Sequence, residues 1–350
     1  MDESIMLIES RTHYFDCLRI AACLAVMILH IAADNWLEAS VTSFEWQIFN
    51  FYDALVRFGV PVFVMISGAL FLNPDKYIPV KTLYAKYIFR IAAAFVLWSF
   101  LYAARDCMKT GDIVDAASHF LAGHYHMWFL YMIIGLYMIV PFVRQIAESE
   151  SLTKYFLVLA LIFASILPEA ADIISVFSEK WADLLRNIIR YELYVYFAAG
   201  YTGYFLLGYV LDRADISPKL EVMIYLGGII GAGMTILMSS YASLLKNEPQ
   251  GLFYKELSVN VLLESIAVFA FFKQHCNREN KIVLKLSQYS FGAYLVHALI
   301  LALLREYTGL HTLTFSPVIS VPVIAVIVFI ISFIISAVLN HIPVLKKYIV

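Results

Sequence analysis

His30, Arg57, Glu264 and His297 stand inside stretches so apolar that an ionisable group there is costly, and such groups ordinarily line a bundle interior or a wet cavity. An imidazole with its ordinary pKa near 6.5 takes and returns a proton at neutral pH. A guanidinium offers a fork of donors to phosphate, carboxylate or a developing oxyanion. Arg19 and His30 are spaced so that they lie about three helical turns apart, offset by ~20° around the axis and ~16 Å along it. They therefore share a helix face, and Asp16, one turn before Arg19, is placed to hold its guanidinium. Two readings of Arg19 stand side by side: a binding group for an anionic ligand at the membrane boundary, or a snorkelling residue that sets topology. For His30 the plain alternative is a buried histidine satisfied by hydrogen bonds.

Further along, Asp53 and Arg57 form an i,i+4 pair, followed by Pro61, which should kink its helix, and by Ser67-Gly68, where the glycine permits close approach. Lys86 and Arg90, one turn apart behind Lys81, serve either as topology-setting charges or as a clamp for an anionic cytosolic ligand. His126 follows Tyr125 and precedes Trp128, an aromatic cluster suited to a membrane interface and placed to line an outer mouth. Tyr294 and His297 share a face at i,i+3. Glu264 has no partner that can be assigned from the sequence. Ser67 lacks the G-x-S-x-G elbow of a serine nucleophile, so it is placed among packing and substrate-lining residues. Cys17, Cys23, Cys107 and Cys276 show no C-x-x-C spacing, and the scattered histidines have no ligand spacing, so no metal is required.

The elements that must position these groups are membrane helices. Apolar residues make up 62% of the 350 residues, against the ~45–50% of soluble domains, and charged residues only 15%. A soluble chain with so few charges could not cover its own surface. The apolar residues come in runs near the ~20 needed to cross a bilayer. The reading is an all-α polytopic bundle of about ten helices, near 15–33, 46–72, 86–105, 126–144, 154–171, 191–211, 220–240, 256–273, 286–304 and 317–340. Lys and Arg are roughly twice as frequent in the loops that this layout puts on the side of the N-terminus, so both termini are expected in the cytoplasm. The opening Met1-Asp2-Glu3-Ser4 is acidic, unlike a cleaved signal peptide, and 1–350 reads as a single membrane domain. A net charge of -2 argues against a nucleic-acid binder.

Taken together, the motifs resemble those of the integral-membrane acyltransferase family 3, the surface-glycan O-acyltransferases. The resemblance rests on Phe15-Asp16-x-Leu18-Arg19 followed by His30, an Arg-x10-His spacing; on Arg57-x-x-Val60-Pro61-x-Phe63-x-x-x-Ser67-Gly68; on His126-x-Trp128-Phe129; and on Ser290-x-Gly292-x-Tyr294-x-x-His297. It covers about residues 12–345, and it is nearest to the short single-domain members of the enterobacterial common antigen O-acetyltransferase type. Where the family has two arginines at the start of the third span, this chain has Lys86 and Arg90.

The resemblance implies a multi-pass protein of a bacterial plasma membrane that moves an acyl group, most often acetyl from acetyl-CoA, onto a hydroxyl of a surface or lipid-linked glycan. Acyl-CoA is then a co-substrate and no resident cofactor is expected. His30 is implied as general base, with Arg57 or Tyr294 stabilising the oxyanion and His297 beside them; a covalent acyl-histidine is the other mechanistic option. Arg19, Asp16, Lys86, Arg90, Ser67, His126, Trp128 and Glu264 are implied as substrate-lining residues. A flippase for a lipid-linked sugar is the competing class. It would share the spans and the buried charges, but it has no need of an aligned Arg19/His30 face with basic residues at its inner end.

Overall fold

The computed structural model describes residues 12–349 except 194 and 199. Met1-Asp2-Glu3-Ser4 and Arg11 lie outside the described residues. Among those described, the chain is helix and connecting loop with no strand. The elements are α1 (His13–Ala33), α2 (Phe44–Phe71), α3 (Val80–Thr110), α4 (Ile113–Ala122), α5 (Trp128–Met138), α6 (Val140–Ala147), α7 (Glu150–Phe177), α8 (Glu179–Asn187), α9 (Thr202–Arg213), α10 (Pro218–Lys246), α11 (Val259–His275), α12 (Lys281–Thr308) and α13 (Pro317–Asn340). Seven of these, α1, α2, α3, α7, α10, α12 and α13, are long and apolar enough to cross a bilayer, and α5 with α6 makes an eighth bent by 60°. The helices α9 and α11, with 12 and 17 residues, are shorter. Of the span expected at 191–211, only the part from Thr202 belongs to the regular helix α9.

α1 is the centre of the bundle. Its first half (Tyr14, Phe15, Leu18, Ala22) belongs to one core cluster with α2, α7 and α9, and its second half (Cys23, Val26, Met27, Ile31) to another with α3, α12 and α13. A helix that joins both core clusters belongs in the interior, and α1 is one. By contrast α10 and α13 present Ile229, Ile230, Leu237, Val326, Ile330 and Ile334 outward. A continuous apolar exterior of this kind suits hydrocarbon, not water.

Between helices in lipid, close packing replaces the hydrophobic effect as the main attraction, so small residues mark the tightest contacts. Gly68 on α2 and Gly208 on α9 are such a reciprocal pair. A Cβ on Gly68 would meet the Phe205 carbonyl oxygen at 1.7 Å, and one on Gly208 the Met65 carbonyl oxygen at 2.0 Å. α2 is broken over residues 55–58, where tighter bonds such as Val56 N–H to Asp53 O (3.2 Å) and Gly59 N–H to Val56 O (3.1 Å) replace the regular pattern. Pro61 is the cause: it has no N–H for the Arg57 carbonyl, so the helix parts one turn earlier.

Candidate active site

The first part of the site is a cavity of about 290 Å³ beside α1. Arg19 and Arg90 line it together with Ser67, Tyr87 and Tyr137, and apolar side chains from α2, α3 and α5 complete the wall. Arg19 is held as its spacing requires, with Nη1 donating to Asp16 Oδ1 at 3.2 Å, and Asp16 also accepts from Ser287 Oγ of α12 at 2.6 Å. Arg90 is half-buried, with its guanidinium 5.8 Å from the Phe291 ring centre. Ser67 Oγ donates to the Phe63 carbonyl at 2.9 Å, a contact within its own helix. Lys86 lies elsewhere: it is exposed and rests on the Tyr87 ring, 5.4 Å away, outside the cavity lining. A wide turn over Leu83–Ile88 explains this, because it interrupts the 3.6-residue period that would put Lys86 and Arg90 on one face.

Tyr294 lines this cavity and also contacts the imidazoles. His30 and His297 stack with centroids 5.3 Å apart and planes at 21°. His126 meets His297 edge-on at 5.0 Å and lies 6.4 Å from His30. Tyr294 donates from its hydroxyl to the His126 carbonyl and sits 5.8 Å from the His297 ring. His297 Nδ1 contacts the carbonyl of Tyr294, which can only accept, so that nitrogen carries the proton and Nε2 keeps a free lone pair. The Nε2 atoms of His297 and His126 are both buried without a hydrogen-bond partner. None of the hydrogen bonds among the described residues involves the His30 ring. Ring faces, not converging nitrogens, bring these histidines together, and no group of three or more His, Cys, Asp or Glu among the described residues is arranged to hold a metal.

Arg19 and His30 therefore occupy one helix face but not one cavity: Arg19 lines the chamber, and His30 is not in its lining but stacks on His297. Arg57 is the anchor of a separate polar cluster. It pairs with buried Asp53, donates to the Tyr254 carbonyl at 3.0 Å and covers the Tyr254 ring at 4.3 Å, while remaining within electrostatic reach of His30. Glu264 is buried with Oε2 unpartnered and faces an apolar groove between α1, α10 and α11. Trp128 is 38% exposed and packs against Tyr201 at 5.8 Å, away from the imidazoles.

Three further groups neighbour the histidines: His124 and Tyr102 were not singled out from the sequence, and Tyr125 was read only as an aromatic of the membrane interface. Tyr125 approaches His30 edge-on at 4.9 Å, His124 shares a 3.0 Å Nδ1 to Nδ1 contact with His126, and Tyr102 stacks on His124 at 4.2 Å. His124 and Tyr125 sit in the same His-Tyr-His run as His126, which was the available signal. Tyr102 is one aromatic among many on α3 and carries none. Burial holds the His124 imidazole down at about 4, so it is uncharged at neutral pH.

Compared with known proteins, residues 12–341 match the Acyl_transf_3 family model, described as an acyltransferase domain. No curated protein and no solved structure matches the chain.

Proposed function

The chain belongs to the acyltransferase 3 family and is a multi-pass membrane acyltransferase, and from that premise we propose that it carries an acyl group, acetyl foremost, from acyl-CoA to a hydroxyl of a surface or lipid-linked glycan. In this reading the bundle has about ten spans in a bacterial plasma membrane, with both termini cytoplasmic, and the protein is of the short single-domain type. The cavity lined by Arg19 and Arg90 takes the donor. Its guanidiniums hold phosphate by charge-assisted hydrogen bonds at the inner rim. The pantetheine arm runs along the ~16 Å between Arg19 and His30 on α1, with Tyr294 turning aside to admit the thioester.

His30 acts as general base. As the acceptor oxygen attacks the thioester carbon, its proton passes to the imidazole and the carbonyl oxygen becomes an oxyanion. The Tyr294 hydroxyl donates to that oxyanion, and the Arg57 charge favours it from a distance. The intermediate collapses with cleavage of the C–S bond, and the imidazolium returns its proton to the departing thiolate. His297, stacked on His30, and His126 hold the base in place and exclude water.

The observation that carries this reading is the double contact of Tyr294, which lines the Arg19/Arg90 cavity and also meets His126 and His297. The test is CoA release by the purified chain in detergent with acetyl-CoA and a glycan acceptor. Acceptor-dependent release with acetylated product supports the reading. Glycan translocation without CoA release contradicts it.

A further inference from the structure

At the His30 end of the bundle a second pocket, of about 420 Å³, opens on the side of the histidines away from the donor cavity. The end of α1, the last turns of α3 and α12 and the loop before α5 form its walls. His124 and Tyr125 are the only aromatic groups in its lining, and Ala298 and Leu301 supply an apolar floor. Every basic side chain in the lining is already paired: Arg305 Nη1 lies 2.7 Å from Asp34 Oδ1, Arg105 Nη2 lies 2.7 Å from Glu306 Oε2, and Lys109 pairs with the same carboxylate.

We infer that this pocket holds one uncharged sugar ring of the acceptor and presents its hydroxyl to His30. The inference rests on the acyl-transfer reading above. Volume sets the first condition, since 420 Å³ lies within the range of small-molecule sites and accommodates a sugar ring. Chemistry sets the second. A hydroxyl both donates and accepts, and a fixed pair of guanidinium and carboxylate offers it one partner of each kind. A sugar carboxylate would instead compete with Asp34 and Glu306 for these cations. Position sets the third. Tyr125 is 54% exposed, a flat ring against which the C–H face of a pyranose can lie, and its ring centre stands 4.9 Å from that of His30. A ring seated on Tyr125 is therefore next to the proposed base.

The test uses the purified full-length chain, acetyl-CoA and two oligosaccharide acceptors that differ only in a terminal hexose or the corresponding hexuronic acid. The neutral acceptor is expected to show a kcat/KM about ten-fold or more above the acidic one. Arg305→Gln is expected to raise the acceptor KM by about ten-fold and leave the acetyl-CoA KM unchanged. Glu306→Gln, which frees Arg105 and Lys109, should narrow or reverse the preference for the neutral sugar. Equal or better use of the acidic acceptor by the wild type, or an unaltered ratio in Glu306→Gln, overturns the assignment while leaving acyl transfer intact. Transfer to neither acceptor by folded protein fails at the earlier step, in the acyl-transfer reading itself.

Discussion

His30 and His297 lie face to face, their ring centres 5.3 Å apart, although 267 residues of chain separate them. The stack follows from packing of α12 against α1, and it fixes the orientation of the His30 ring, which no hydrogen bond among the described residues holds. Replacing His297 by Ala should let His30 turn and lower kcat by about 10²-fold, the scale expected from misplacing a catalytic group, with the acyl-CoA KM unchanged. Steady-state kinetics of His297→Ala and His297→Phe check this. The phenyl ring preserves the stack and should recover part of the loss; equal activity of all three proteins contradicts the prediction.

The two basic residues at the start of α3 should separate cleanly. Arg90 lines the cavity proposed for the donor and Lys86 does not. Arg90→Ala is therefore expected to raise the acyl-CoA KM by about ten-fold or more, as loss of a charge-assisted contact does, whereas Lys86→Ala should change it by less than about two-fold. Titration of acetyl-CoA against each variant decides the matter, and equal effects would place both residues on the donor.

Gly68→Ala and Gly208→Ala should each destabilise the bundle by a few kcal/mol, because a methyl at either site overlaps a backbone carbonyl that cannot move aside. Thermal unfolding in detergent, followed by fluorescence-detected size exclusion, measures it. An unshifted midpoint in both variants would mean that α2 and α9 can part without cost.

Much of this was legible from residue types and spacing. A composition this apolar requires helices in a bilayer, and Asp16 does hold Arg19 one turn away. The clearance around Gly68 likewise follows from a small residue in an apolar span. What escaped were features set by long-range contact. The break in α2 falls at 55–58, one turn before the proline that causes it, because the missing bond belongs to the carbonyl four residues back. Lys86 leaves the face of Arg90 through a wide turn that no periodicity announces. Trp128 carries the same aromatic signal as Tyr125, yet only Tyr125 meets His30, a difference decided by how the loop before α5 folds back onto α1 and α12.

The loop carrying His124 gives a pH dependence with a definite sign. Its imidazole is held down at about 4 by burial, against an unfolded value near 6.5. Between those values the unfolded chain binds the proton and the folded chain does not, so stability falls as pH drops from about 6.5 to about 4. For a partly exposed group this amounts to at most about 1 kcal/mol per pH unit. Unfolding midpoints of the wild type should decline over that window more steeply than those of His124→Asn. Parallel profiles for the two proteins contradict the assignment.

The role of His30 is tested most directly by acetyl transfer from acetyl-CoA to glycan in His30→Ala, measured on protein shown to be folded and membrane-inserted by size exclusion. Loss of at least about 10²-fold in turnover, within the ~10²–10⁴-fold span of a positioned base, with donor binding retained through Arg19 and Arg90, is the expected result. Turnover at the wild-type rate would remove the imidazole from the chemistry.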